Sequence, residues 1–323
     1  MNVSVLGCGR WGTFIAWYLN KIGKNVVLWG RKGSNHLAEL VNNRKNEWLN
    51  LDEKIVLTDD IKKALGHSEI IIISISAQCL SDFMKDLSEK FSLNDLKKKT
   101  FVLCMKGIEE STGRRLSQVM EQYLGEDSNI AVWVGPGHVQ DFADGIPNCM
   151  VIDSKKDEVK KELVNKFSSS LIRFYYGTDL IGSEIGAAAK NVMGIAAGIL
   201  DGLGYVSLKG ALMSRGTMEI SRLIKAMGGN PLSAFGLAHL GDYQATLFSP
   251  HSNNRKFGEL LATNKPYDKL AEGVATSYAI VELGKKYRVD LPICNAVNQA
   301  VKNKSVTKES VTDLFLRSIK NEF

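Results

Sequence analysis

The sequence predicts an α/β domain built on a parallel sheet, followed by an all-α domain. Three observations carry that prediction. Short, continuous apolar runs such as Ile70-Ile71-Ile72-Ile73-Ser74-Ile75 recur in the first half of the chain, as in parallel strands covered on both faces. The first run, Val3-Ser4-Val5-Leu6, leads through a glycine-rich turn into a helical pattern. Past Leu171–Tyr176 the strand-like runs stop, and helical periodicity carries most of the chain to Phe323. The change falls in the glycine-containing connection Gly177–Gly182, so the domains are expected at residues 1–180 and 181–323. A chain of 323 residues is long for one core and suits two.

The turn after the first run reads Gly7-Cys8-Gly9-Arg10-Trp11-Gly12, and Thr13 to Ile22 continue it at helical spacing. Gly7 allows the tight turn, Gly9 lets backbone N–H groups approach a pyrophosphate, and Gly12 lets helix and strand pack closely. The helix N-terminus adds unpaired donors and partial positive charge. Glycine-rich turns are common, but one that follows a strand at the start of the chain reads as the dinucleotide fingerprint of a Rossmann domain.

Val26-Val27-Leu28-Trp29 is the second strand, and it continues into Gly30-Arg31-Lys32 with no acidic residue. An acid there binds the ribose hydroxyls of NAD, whereas a cationic pair favours the 2′-phosphate of NADP. The alternative is that Arg31 and Lys32 are exposed turn residues. Phe101-Val102-Leu103-Cys104-Met105 and Ile130-Ala131-Val132-Trp133-Val134 are further buried strands. They end in Lys106-Gly107 and Gly135-Pro136-Gly137, at the strand ends where doubly wound folds place ligands. Lys106 is therefore either functional or an ordinary surface lysine.

The second domain opens on a helix in which sixteen residues separate Glu184 from Asp201, and Lys190 is the only charged one. Small and apolar residues on every side predict a buried helix. A lysine there is costly unless it is paired or lines a wet cleft, and desolvation is one way a lysine becomes a general base. The plain alternative is a lysine snorkelling at the rim. Farther on, Asp242 stands in a weakly charged region. The polar turn Ser249 to Gly258 offers hydroxyls, amides and cations at a helix start, which suits a phosphate. Ser252 or Asn254 would also serve as an ordinary N-cap.

Composition narrows the function classes. Hydrophobic residues make up 44% and charged residues 24%, as in ordinary globular proteins. The net charge of +6 is modest, and the one tight cluster, Lys97-Lys98-Lys99, lacks interleaved aromatics, which argues against nucleic acid. Cys8, Cys79, Cys104, Cys149 and Cys294 form no C-x-x-C pair, which points to reduced thiols and away from a metal site. No basic-then-apolar leader and no membrane-length apolar run is present, so a cytoplasmic protein is expected.

Taken together, the segments resemble the bacterial NAD(P)-dependent glycerol-3-phosphate dehydrogenases nearly end to end. The resemblance rests on the Gly7–Gly12 fingerprint, Leu28-Trp29-Gly30-Arg31, Lys106-Gly107-Ile108-Glu109 and Gly135-Pro136. It continues in Glu184 to Asn191, Ala196 to Leu203, Arg215-Gly216-Thr217-Met218-Glu219, Gly241-Asp242, Phe257-Gly258 and Glu272-Gly273-Val274. It implies a Rossmann domain and an all-helical domain with the active site between them, NADP or NAD as cofactor, a small phosphorylated substrate and a homodimer. Lys190 then matches the base at the substrate's C2 hydroxyl, with Lys106 and Asp242 orienting substrate and base. Gly135, Gly137, Ser252, Asn253 and Asn254 match substrate contacts. Gly7, Gly9, Arg10, Trp11, Gly12, Arg31, Lys106, Val139, Asn253, Leu270 and Glu272 match cofactor contacts.

Two departures bear on the substrate. The family has Ser or Thr where Gly137 stands, and it reads Ser-Arg-Asn where this chain has Ser252-Asn253-Asn254. An amide cannot replace a guanidinium's charge or its fork of donors. Arg255, two residues later, points roughly 200° around a helix from Asn253. The expected activity is interconversion of dihydroxyacetone phosphate and sn-glycerol 3-phosphate, supplying glycerophospholipid synthesis. The rival readings are the same hydride chemistry on another phosphorylated or polyol-like ketone, and a non-catalytic dinucleotide sensor.

Overall fold

The computed structural model describes residues 1–319, 321 and 322. The chain divides into two compact units, Met1–Lys106 with Arg114–Glu184, and Gly107–Gly113 with Ile185 onward. The segment Gly107–Gly113 thus groups with residues far along the chain, which a single cut in the sequence does not convey.

The first unit is organised on one eight-stranded sheet. In chain order its strands are β1 (Asn2–Leu6), β2 (Asn25–Trp29), β3 (Val56–Thr58), β4 (Ile70–Ile73), β5 (Thr100–Leu103), β6 (Asn129–Val134), β7 (Asn148–Ser154) and β8 (Ile172–Tyr176). Their spatial order is β3-β2-β1-β4-β5-β6-β7-β8. All pairs are parallel except β6 with β7. Strand order reverses between β1 and β4, and a crevice opens at such a switch point beyond the carboxyl ends of the strands. All four isoleucines of β4 are buried, as its unbroken apolar run predicts. β3 and β7 are not evident in the sequence: β3 has three residues, and β7 carries Asn148 and Asp153 among its apolar side chains.

The helix Arg10–Lys21 covers one face of the sheet through Phe14, Ile15, Tyr18 and Leu19, all fully buried. Phe14 stacks on Phe142 at 4.9 Å between ring centroids, and Tyr18 donates its hydroxyl to the Phe167 carbonyl. Burying such side chains contributes about 1.5–3 kcal/mol each. That packing pins the first turn of the helix, and the glycine fingerprint with it, at the carboxyl end of β1, inside the sheet.

The second unit is helical and contains most of the 23-residue helix Leu180–Gly202. A methyl group on Gly198 would stand 1.9 Å from the Arg255 carbonyl oxygen, so only glycine lets the helix Asn253–Ala262 cross this closely. Glu219, on the helix Lys209–Ala226, accepts from the Ile293 and Cys294 N–H groups at 2.9 and 2.8 Å. It thereby caps the helix Pro292–Asn303, whose first donors have no partner within the helix. Among the described residues no helix is long and apolar enough to cross a membrane.

Candidate active site

The glycine turn occupies the switch point. Gly7 follows β1, and a methyl group built on it would lie 2.2 Å from the Ser74 carbonyl oxygen, just beyond β4. One built on Gly12 would lie 1.8 Å from the Gly7 carbonyl oxygen, whereas nothing lies within 4 Å of one on Gly9. Two glycines are thus demanded by backbone contact, and the third faces open space. The helix beginning at Arg10 has no side-chain cap and no acid in its first turn. Its first N–H groups suit a dianionic pyrophosphate. The Trp11 indole N–H is buried, and among the described residues it has no hydrogen-bond partner. These features fit a dinucleotide, whose phosphates would lie against Gly7, Gly9, Gly12 and the Arg10–Trp11 backbone.

Lys106 lies just beyond the end of β5. Its Nζ donates to the Gly135 carbonyl at 2.8 Å, beyond β6, and sits 5.8 Å from the centre of the Trp11 ring. Arg10 donates to Gln140 Oε1 at 3.0 Å, beside Val139, which is buried at the start of the helix Val139–Ala143. Burial lowers the Arg10 pKa, opposed by the charge of Glu47. The structure therefore gathers the fingerprint, Lys106, Gly135 and Val139 at one end of the sheet. Arg31 lies beyond β2 as an exposed cation. Gly137 packs so closely that a methyl group on it would meet the Phe142 ring at 2.3 Å.

In the second unit Lys190 is 9% exposed, and Asp242 is 1% exposed. Lys190 Nζ lies 2.9 Å from Asp242 Oδ2 and donates to Thr246 Oγ1 at 2.9 Å. The Thr246 hydroxyl donates to the Asp242 carbonyl at 2.7 Å, which leaves its oxygen to accept from the lysine. Buried ionic groups need partners of this kind. Lys190 is accordingly a paired, interior lysine and not a rim residue. Sequence reasoning missed Thr246, four residues after Asp242, because nothing in its neighbourhood sets it apart from any other threonine.

The polar turn behaves less uniformly. Asn254 donates to Asn191 Oδ1 at 3.0 Å and accepts from the Gly273 N–H at 2.9 Å. It links the residue after Lys190 to the start of the helix Gly273–Tyr287, which Glu272 precedes. Ser252 accepts from the Arg255 N–H at 3.3 Å as an N-cap. Asn253 and Leu270 are exposed. Arg255 is engaged elsewhere: its Nε lies 2.6 Å from Asp201 Oδ2, and Lys209 Nζ lies 2.6 Å from Oδ1 of the same carboxylate. A cavity of about 1060 Å³ in this unit is lined by Leu212, Met218, Ala296 and Phe315, among others, and by none of these site residues.

Two family models match the chain in succession. The NAD-dependent glycerol-3-phosphate dehydrogenase N-terminus matches residues 2–160, and the C-terminus of the same family matches residues 179–312. The chain belongs to the NAD-dependent glycerol-3-phosphate dehydrogenase family. Curated relatives named glycerol-3-phosphate dehydrogenase [NAD(P)+] include one from Pelodictyon phaeoclathratiforme. It is 34% identical over 335 residues, covering 100% of this chain and 99% of the relative. Another, from a Thermoanaerobacter species, is also 34% identical, with 100% and 99% covered. A crystal structure of the Coxiella burnetii glycerol-3-phosphate dehydrogenase is 27% identical, with a TM-score of 0.88 over 98% of this chain and 99% of that one.

Proposed function

We propose that the protein interconverts dihydroxyacetone phosphate and sn-glycerol 3-phosphate with NADH or NADPH. The observation that carries the reading is the Lys190–Asp242–Thr246 cluster in a member of this family. When bound, the nicotinamide supplies the hydride for reduction and accepts it in oxidation. Lys190 gives a proton to the carbonyl oxygen as the carbonyl carbon is reduced, and takes it back in the reverse direction. Asp242 and Thr246 fix Nζ, so the proton leaves from and returns to one place. Lys106, held by the Gly135 carbonyl, supplies positive charge for the substrate phosphate or the reacting oxygen.

In this reading Arg31 and Lys32 favour NADPH, and the product serves glycerophospholipid synthesis in the cytoplasm. The protein acts as a homodimer, which sedimentation velocity tests directly. A second reading, the same chemistry on another phosphorylated or polyol-like ketone, is favoured by one observation: Asn253 lacks a guanidinium, and Arg255 is committed to Asp201. Loss of NADH or NADPH absorbance with dihydroxyacetone phosphate, then with a panel of phosphorylated ketones, separates the readings. Turnover on the first compound supports the proposal, turnover only on others supports the second, and none at all indicates a non-catalytic sensor.

A further inference from the structure

Beside the Lys190–Asp242 pair lies a fully buried histidine, His239. Its Nδ1 is 2.8 Å from the Gly186 carbonyl oxygen, and its Nε2 is 2.7 Å from the Tyr243 hydroxyl. The partners fix the tautomer. A carbonyl can only accept, so Nδ1 carries the hydrogen, and Nε2 accepts from the Tyr243 O–H. Burial pushes the imidazole pKa down to about 4, so a neutral ring with one hydrogen is what the site holds near neutral pH.

Gly186 stands four residues before Lys190 in the same helix, so its carbonyl is also the acceptor for the Lys190 backbone N–H. His239 therefore grips the turn that presents the lysine. At its other end, the His239 carbonyl accepts the Asp242 N–H at 3.0 Å, and the Asp242 carbonyl accepts the Thr246 hydroxyl at 2.7 Å. Thr246 and Asp242 in turn hold Lys190 Nζ. The contacts close a circuit from the lysine helix, through His239 and the Asp242 segment, back to the lysine.

We infer that His239 is a positioning residue. Through Gly186 and Tyr243 it sets the spacing between the lysine helix and the Asp242 segment, and so the geometry of the Lys190–Asp242 pair. Packing alone does not call for an imidazole here. An apolar pair of similar size would fill the space without burying two polar groups, and replacing both partners of a buried hydrogen bond is often nearly neutral for stability. This inference rests on the dehydrogenase reading, and its test keeps the two apart.

Wild-type turnover with dihydroxyacetone phosphate and NADPH is measured first; its absence overturns the dehydrogenase reading alone. The double variant His239→Leu/Tyr243→Phe is then expected to melt close to wild type. Its kcat falls at least about tenfold, with the KM for dihydroxyacetone phosphate and the Kd for NADPH changed less than about threefold. His239→Asn, whose amide N–H can reach the Gly186 carbonyl, recovers most of the rate, and His239→Leu does not. Crystal structures read the same question without turnover: the Lys190–Asp242 separation opens past about 4 Å, the limit of an ion pair, in the double variant. Unchanged kcat, equal loss in Leu and Asn variants, or an unchanged separation overturns the role of His239. If the double variant fails to fold, Tyr243→Phe, which removes one hydroxyl, is judged by the same three readings.

Discussion

Arg255 turns its guanidinium back onto Asp201, with Nε 2.6 Å from Oδ2, although it stands at a helix start whose hydroxyls, amides and cations suit a phosphate. Asp201 also takes Lys209, so this carboxylate balances two cations, and its negative charge holds Arg255 in place. The guanidinium is therefore spent on structure. Asn253→Arg is expected to restore a charge-assisted contact to the substrate phosphate, about 1.5–3 kcal/mol, or roughly ten- to a hundredfold in kcat/KM for dihydroxyacetone phosphate. Arg255→Ala should lower Tm and move KM much less. Steady-state kinetics and melting of the two single variants check both halves. A severe KM defect in Arg255→Ala with a silent Asn253→Arg would reverse the assignment.

Lys190→Met should keep the fold and cofactor binding while kcat falls roughly 10²–10⁴-fold, the usual range for an acid–base group. Lys190→Arg should rescue little, because a guanidinium stays protonated at any working pH. Thr246→Val leaves the ion pair to Asp242 but removes the second anchor of Nζ, so its loss in kcat should be smaller than that of Lys190→Met. Rapid-mixing turnover, with NADPH fluorescence titration as the binding control, orders the three variants.

Arg31 is exposed just beyond β2, with Lys32 beside it and no acid in Gly30-Arg31-Lys32. Replacing Arg31 by Ala should raise the KM for NADPH much more than that for NADH, since the two cofactors differ by the 2′-phosphate. Equal changes for both would remove Arg31 from that subsite.

Much of this was legible in the sequence, for identifiable reasons. The Gly7–Gly12 turn and the run at β4 declare themselves because backbone contact and two-sided burial leave few residue choices. Lys190 stands out because a single charge in sixteen apolar or small residues needs a partner. The resemblance points to its partner Asp242, but nothing in the sequence marks Thr246 or His239, because a hydroxyl or imidazole gains its role only from what the fold brings against it. The commitment of Arg255 to Asp201 was equally hidden: 54 residues separate the two, and no local pattern links them.

Packing leaves no room for a side chain at Gly137. Its φ of 148° lies where side chains are strained, and a methyl group there would meet the Phe142 ring at 2.3 Å. Phe142 cannot easily yield, since it is buried and stacked on Phe14. Gly137→Ser alone should therefore destabilise the protein by about 1–3 kcal/mol, the cost of overpacking. Phe142→Leu makes room, so the double variant should be more stable than the sum of the single effects allows. Urea unfolding of all four proteins measures that coupling, and strict additivity would mean that the two residues do not compete for space.

Two buried groups in the second unit give the stability opposite responses to pH. His239 has its pKa pushed by burial from 6.5 down to about 4, so between those values the unfolded chain binds the extra proton, and stability rises with pH. Glu219 has its pKa raised by burial from 4.5 to about 7, against the lowering effect of the Cys294 and Ile293 N–H groups. The folded state then binds the extra proton, and the stabilisation present below pH 4.5 is lost as pH rises towards 7. In the wild type these slopes oppose one another over about pH 4.5–6.5, so Tm should vary little from this source. Glu219→Gln removes the falling slope. Its Tm should lie below wild type, because one carboxylate oxygen that caps the helix Pro292–Asn303 is replaced by an N–H₂ group. It should also climb more steeply than wild type between pH 4.5 and 6.5, as the uncompensated His239 slope is exposed. Calorimetric scans across that range on both proteins decide the matter, and parallel curves would show that Glu219 does not hold its proton in the folded state.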